Sequence, residues 1–433
     1  MNSTSTDESS TRRMPRAGLL VAVLAMVAFV AWTGWDRDAA VEDDGAGARG
    51  GGKTGDGGQT RKASDFVGSD TCAECHPGIA ETFARHPMAR TMQPIGEVEP
   101  IEAFGEGKDR FTVGGRTYRV ERRDGEVIHH EIMHDDDGKL IYDQAESVQF
   151  VIGGGVKGRG YVLQRQGLLF ESPITWYSQT SKWGLSPGYP PEEHYRFQRR
   201  LGADCLACHS GRTAPAIGKD RYVAEKPFHE ASIGCERCHG PGGRHSELYR
   251  SSRGDRHEDP LIVNPASLAD QQQDDICNQC HLEGKLRVLK KGVEFSDFRP
   301  GELLGKTWTV YVAETPFDEE GRPLFTSHVE QMHSSRCFQE SGKAMRCTSC
   351  HDPHRVPSSA ERVSFYKARC NSCHQKRGCS LPEAEQQRGG AAGSCIACHM
   401  PRLHSSDVAH TTQADHRVVR HATEIRPLEQ MEQ

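Results

Sequence analysis

Apolar side chains are scarce in this chain. They make up 35 % of its 433 residues, and aromatics only 7 %. That is little for a soluble domain of this size, so the core needs other material. A basic stripe with interleaved aromatics is missing as well. The net charge is −6, which argues against a nucleic-acid partner. Gly153-Gly154-Gly155 is followed by no helix-opening Lys-Ser/Thr, so it reads as a hairpin turn rather than a phosphate loop. Apart from one pentapeptide, no repeat of fixed length occurs.

That pentapeptide is Cys-x-x-Cys-His, and it occurs seven times. The copies are CAECH (72–76), CLACH (205–209), CERCH (235–239), CNQCH (277–281), CTSCH (347–351), CNSCH (370–374) and CIACH (395–399). They use 14 of the 16 cysteines and leave Cys337 and Cys379. Zinc is a poor explanation, because four-thiolate sites consume such pairs two at a time and seven is odd. A thioredoxin-like redox site needs one motif. Covalent c-type haem explains the whole pattern. The thiol pairs are Cys72 with Cys75, Cys205 with Cys208, Cys235 with Cys238 and Cys277 with Cys280. Cys347 with Cys350, Cys370 with Cys373 and Cys395 with Cys398 complete the set. Two thiols one helical turn apart reach the two vinyl groups of a porphyrin, and the following His ligates the iron. The proximal ligands are then His76, His209, His239, His281, His351, His374 and His399. Seven haems would supply the apolar material that the side chains do not.

The start of the chain points to export. Residues 17–35, AGLLVAVLAMVAFVAWTGW, carry no charge, and 19 residues at about 1.5 Å each can span a bilayer. Arg12, Arg13 and Arg16 precede the run and Asp36, Asp38, Glu42, Asp43 and Asp44 follow it. The positive-inside rule leaves residues 1–16 in the cytoplasm. The run reads as an N-terminal transmembrane helix, with a cleaved signal peptide as the alternative. Either puts the rest on the periplasmic side, the compartment where bacteria attach c-type haem.

Residues 36–65 form a Gly-rich flexible linker. Residues 66–421 hold the motifs, and 422–433 are a tail. Within 100–175, alternating segments such as FTVGGRTYRVERR and SVQFVIGG predict a small β-rich insert. Elsewhere short helices and loops are expected. The fold class expected is mainly α with few regular elements, organised around stacked haems. From Cys205 onward the motif starts lie 23 to 70 residues apart. Twenty-three helical residues cover only about 35 Å, so successive motifs should be neighbours.

The residues around the motifs resemble bacterial multihaem c-type cytochromes. The stretches are IGCERCHGPGGRH (233–245), ICNQCHLEGKLRVLKKGVEFSDFRPG (276–301), VEQMHSSRCFQESGKAMRCTSCHDPH (329–354) and CIACHMPRLHSSDVAHTTQADHRVVR (395–420). They look like the cytochrome c-552/c-554 type of domain, in the same broad superfamily as hydroxylamine oxidoreductase and pentahaem nitrite reductase. The resemblance covers roughly 66–421 and includes the β insert. It implies distal haem ligands at His86, His245, His354, His410 and His416. His354 stands three residues from His351, so it would cap a different iron. His129 or His130 is a further candidate from the insert, whereas His194, His229, His257, His328, His333, His404 and His421 read as surface histidines. The Cys-x-x-Cys-Lys motif of nitrite reductases is missing, and no stretch points to the cross-linking tyrosine of hydroxylamine oxidoreductase.

The function expected is electron transfer in the periplasm, between a quinol-linked membrane donor and an external acceptor. The alternative is a multihaem oxidoreductase with one open haem acting on a small nitrogen or sulfur compound. The sixth iron position separates the two: histidine closes it, and an empty position admits substrate. In an oxidising compartment Cys337 and Cys379 could pair as a disulfide or remain as thiols.

Overall fold

Valine, tyrosine, tryptophan and threonine crowd the stretch from 92 to 200, and such side chains fit a pleated, half-buried surface. In the computed structural model this stretch forms eleven strands. The structure describes residues 65–105, 107–214, 221–222, 226–251, 261–312, 327–375, 378–387, 393–404 and 412–420. The strands are β1 (Met92–Pro94), β2 (Arg110–Val113), β3 (Arg116–Arg123), β4 (Glu126–His134), β5 (Leu140–Ser147) and β6 (Phe150–Ile152). Then come β7 (Gly158–Arg165), β8 (Leu168–Glu171), β9 (Ile174–Tyr177), β10 (Lys182–Leu185) and β11 (Arg199–Arg200). One sheet is the antiparallel meander β2-β3-β4-β5. The other runs β1-β6-β7-β8-β11, with β9 paired to β7 and β10 to β9.

The two sheets bury one aromatic-rich core. Tyr118 and Val120 of β3 and Val127 of β4 pack with Val151, Tyr161, Leu163, Ile174, Trp176 and Trp183. Phe197, just before the 205–209 motif, is fully buried in the same cluster and joins the sheets to the chain that follows. The polar groups inside are partly satisfied: His129 Nε2 and Glu131 Oε2 have no hydrogen-bond partner among the described residues. Glu131 is buried, and its carboxylate accepts from Arg196 Nε and from the Tyr142 hydroxyl at 2.8 Å. The Gly153–Gly155 segment links the antiparallel strands β6 and β7. It is a hairpin connection, with φ of +98° at Gly153 and +77° at Gly155.

Sheet continues beyond residue 200. Short antiparallel pairs are β12 (Arg212–Thr213) with β13 (Phe228–Glu230), β14 (Leu286–Leu289) with β15 (Trp308–Tyr311), and β16 (Arg402–His404) with β17 (Thr412–Ala414). The expectation of a mainly α fold with a small insert at 100–175 is therefore wrong. Among the described residues there are 17 strands against 12 α-helices, and the longest helix, Arg362–His374, has 13 residues. Two causes account for this. A five-residue motif needs only one or two helical turns, and the β region reaches back to 92 and forward to 200. The expected transmembrane helix at 17–35 lies outside the described residues. Among those described, no helix is long and apolar enough to cross a membrane.

His129 sits wholly inside this core. Its Nδ1 meets the Ser172 hydroxyl at 2.7 Å, and its ring packs edge-on against Tyr161 and Trp183. Burial pushes its pKa down to about 3, with neighbouring His130 adding to the effect. The folded state therefore holds His129 neutral, while the unfolded chain protonates it below about 6.5. Stability from this group is present above pH 6.5 and is lost as pH falls from there towards 3. Urea unfolding at pH 7.5 and pH 5 should show His129→Gln losing about 2 kcal/mol less than the parent between the two.

Candidate haem-binding motifs

A single helical turn shapes each motif. The His76 amide donates to the Cys72 carbonyl at 2.9 Å, His239 to Cys235 at 3.0 Å and His351 to Cys347 at 2.9 Å. Motif 205–209 closes the helix Ala203–His209, and 277–281 closes Asp270–His281. Motif 370–374 closes Arg362–His374, and 395–399 is itself the helix Cys395–His399. This turn places both thiols on one side with the imidazole beside them.

Four motif histidines face a second histidine from elsewhere in the chain. His76 and His245 have ring centroids 6.4 Å apart with planes 16° from parallel. His239 and His354 stand 5.8 Å apart at 8°, and His351 and His416 stand 6.3 Å apart at 23°. His281 and His328 stand 6.0 Å apart at 79°. Two imidazoles bound to one metal at about 2.0–2.1 Å each have centroids about 6.3 Å apart. The four pairs fit an iron between them. The ring orientations fit as well. His239 Nδ1 meets the Val263 carbonyl at 2.8 Å, His399 Nδ1 the Val419 carbonyl at 2.8 Å, and His416 Nδ1 the Ala414 carbonyl at 2.9 Å. An Nδ1 proton held this way leaves Nε2 free to bind metal. Burial, with the neighbouring His416 second, lowers the His351 pKa to about 4 and the His328 pKa to about 2. His328 and His416 also touch edge to face at 4.6 Å, which makes their two pairs neighbours.

Of the expected distal residues, the structure brings His245, His354 and His416 opposite a motif histidine. His410 lies outside the described residues. His86 packs against Phe83 and its Nδ1 accepts from the Met88 amide at 3.2 Å, so its proton rests on Nε2. His129 and His130 belong to the sheet, the latter bound to Asp143 at 2.7 Å. His328, which reads as a surface residue in the sequence, faces His281 instead. No local motif announces it: its position depends on how its helix, His328–Ser334, packs.

The motifs also approach one another through their thiols. Cys72 lies beside Cys235, Cys208 beside Cys280, Cys277 beside Cys347, and Cys370 beside Cys395. Gln279 Nε2 donates to the Arg237 carbonyl at 3.3 Å, linking the third motif to the fourth. Cys350 of the fifth motif lies near enough to Cys370 and Cys373 of the sixth for each to affect the other electrostatically, so all seven motifs form one connected array. Cys337 and Cys379 are free thiols, which leaves the disulfide unformed. Electrostatically, Cys337 senses Cys373.

One carboxylate pins the first motif to the third. Glu236, buried inside CERCH, accepts the Val67, Gly68 and Gly242 amides at 3.0, 2.9 and 2.7 Å. Glu230 accepts the Ser69 amide at 3.0 Å. Backbone bonds to a carboxylate are charge-assisted and stabilise by roughly 1.5–3 kcal/mol each. Glu236→Ala should destabilise the chain by about 3 kcal/mol, and hydrogen exchange should show the loss of protection concentrated at the Val67, Gly68 and Gly242 amides.

The family model described as cytochrome c554 and c-prime matches residues 191–240. Multiheme cytochrome MtrA of Shewanella baltica (strain OS185) is 27 % identical over 197 residues, which are 42 % of this chain and 56 % of MtrA. Dissimilatory sulfite reductase MccA of Wolinella succinogenes is 21 % identical over 403 residues, 79 % of this chain and 51 % of MccA. The chain thus spans about half the length of these curated relatives. Among solved structures, the outer cell wall cytochrome OcwA matches with a TM-score of 0.46 at 15 % identity, covering 82 % of this chain and 79 % of that one.

Proposed function

Because this chain is a multihaem c-type cytochrome, we propose that it is a heptahaem electron carrier working outside the cytoplasm. The observation that carries this reading is the set of four histidine pairs at 5.8–6.4 Å. Bound haem would supply the ferric–ferrous couple. The chain supplies the rest. Cys-x-x-Cys pairs would hold each haem covalently, and the motif histidines would ligate its iron. His245, His354, His328 and His416 would supply a second ligand to the haems held by the motifs at 72–76, 235–239, 277–281 and 347–351. A histidine there excludes substrate and leaves the iron as a carrier. The backbone carbonyls on Nδ1 of His239, His399 and His416 fix ring orientation and raise ligand basicity. The connected thiol array gives electrons neighbouring stations. The apolar run at 17–35 would direct export, and the physiological donor would be quinol-linked.

A second reading follows from His209. Among the described residues His209, like His374 and His399, has no imidazole in ring contact with it, and its charged neighbour is Arg287. A haem left open there would be the candidate site for a small nitrogen or sulfur oxyanion, whose charge the Arg287 guanidinium would attract. The sulfite reductase named among the relatives is compatible with such a site.

Electron paramagnetic resonance of the oxidised holoprotein decides between the two. The carrier reading expects every haem low-spin, with bis-histidine signatures. A high-spin haem whose signal shifts on adding sulfite, nitrite or hydroxylamine would install the second reading. Intact mass should show seven haems, and alkylation after unfolding should label two thiols, Cys337 and Cys379. His328→Ala should convert one haem to high-spin. His333→Ala, whose ring stacks on Phe338 at 4.4 Å, should convert none.

A further inference from the structure

The β14–β15 hairpin has two unlike faces. Its inner face carries Trp308, Leu289 and Val310 into a small core with Phe298 and Leu304. On that inner side Arg287 Nη1 reaches the Cys208 thiol at 3.4 Å, so the hairpin lies directly over motif 205–209. The outer face is apolar and open. Leu286 pairs across the strands with Tyr311, and they are 57 % and 56 % exposed. Val288, on the same face, is 43 % exposed. Lysines ring this centre. Lys290, on the same outer face, reaches the Thr309 hydroxyl at 3.0 Å, and Lys285 and Lys291 are exposed at the two ends of β14. The segment GKLRVLKKGV (284–293) carries four cations and no carboxylate in a chain whose net charge is −6.

We propose that the outer face of this hairpin is the docking surface for an acidic redox protein, which it seats over motif 205–209. The inference rests on the carrier reading. An apolar centre excludes water, and a charged rim steers encounter without holding the complex long. The charge sign selects the partner: against an otherwise acidic molecule, this patch attracts negative proteins and the remaining surface repels them. Only the thickness of one two-stranded ribbon, about 10 Å for packed sheet layers, separates the docked surface from Cys208. Small, transient interfaces of this kind are typical of electron-transfer encounters.

The test uses full-length holoprotein and flavodoxin, a small acidic flavoprotein, as the probe, with binding read by surface plasmon resonance. Binding should weaken steeply between 20 mM and 200 mM salt. Charge reversal in K285E/K290E/K291E should weaken it at least tenfold at low salt. Trimming the apolar centre in L286A/Y311A should weaken it without changing the salt slope. K139E, in the exposed turn between β4 and β5, should leave it unchanged. Binding that survives the triple reversal removes the hairpin as the site, and no salt-sensitive binding at all also overturns the proposal. Neither result touches the carrier reading, which stands or falls on the spin states of the haems.

Discussion

The distance between two imidazoles on one metal constrains this molecule more than any other contact. A motif histidine is placed by its own helical turn, but its opposite number must arrive from elsewhere to within a few tenths of an ångström. His245 comes six residues after its neighbouring motif and faces the histidine of the first one, at 72–76. His354 follows one motif and faces the histidine of another, at 235–239. Each such crossing ties two motifs together, as a disulfide would tie two loops. The polar bonds around the motifs serve the same end. Glu236 and Glu230 hold residues 67–69 against the third motif, which keeps His76 opposite His245.

The sheets supply what the motif region does not, a core made of side chains. Most of the large fully buried side chains, Tyr118, Tyr161, Tyr177, Phe197 and Leu163 among them, belong to residues 92–200. Beyond this region the apolar clusters are small, such as the three buried residues Phe298, Leu304 and Trp308. Haems would fill the place of side chains there. The scarcity of apolar residues in the whole chain and their concentration in one stretch thus have a single explanation. Phe197 is the hinge between the two regimes, buried in the sheet core eight residues before Cys205.

The sequence makes the cofactor plain, because Cys-x-x-Cys-His is a local chemical instruction that needs no tertiary context. Three of the histidines that face a motif histidine, His245, His354 and His416, are among those that the family resemblance of their short surroundings singles out. His328 has no such surroundings. It lies 47 residues after His281, and only the packing of its helix brings it opposite. The helical content is overestimated because motif helices end after one or two turns, and the chain between them, rich in glycine and proline, makes hairpins. The β region is legible by its alternation, but its edges are not. Strands as short as β1 and β11 owe their existence to partners 50 or more residues away in the case of β1 and nearly 30 away in the case of β11.

Order in space departs from order in the chain at one place, and the departure has a consequence for electron flow. From Cys235 onward, successive motifs touch, as the short intervals between them require. Before that the long β region intervenes, so the first motif lies on the third rather than the second. The second motif joins the array through Cys208 and Cys280. Motif 277–281 is thereby a junction, with one thiol against motif 205–209 and the other against 347–351. An array of this form has two ends, at 72–76 and at 395–399, and a side station at 205–209, where Arg237 of the third motif donates to the Ala207 carbonyl and Cys208 lies beside Cys280 of the fourth. A linear wire has one entry and one exit. With haem bound, a side station against two members of the main path would offer a further place of entry or exit, and the hairpin beside Cys208 stands over it.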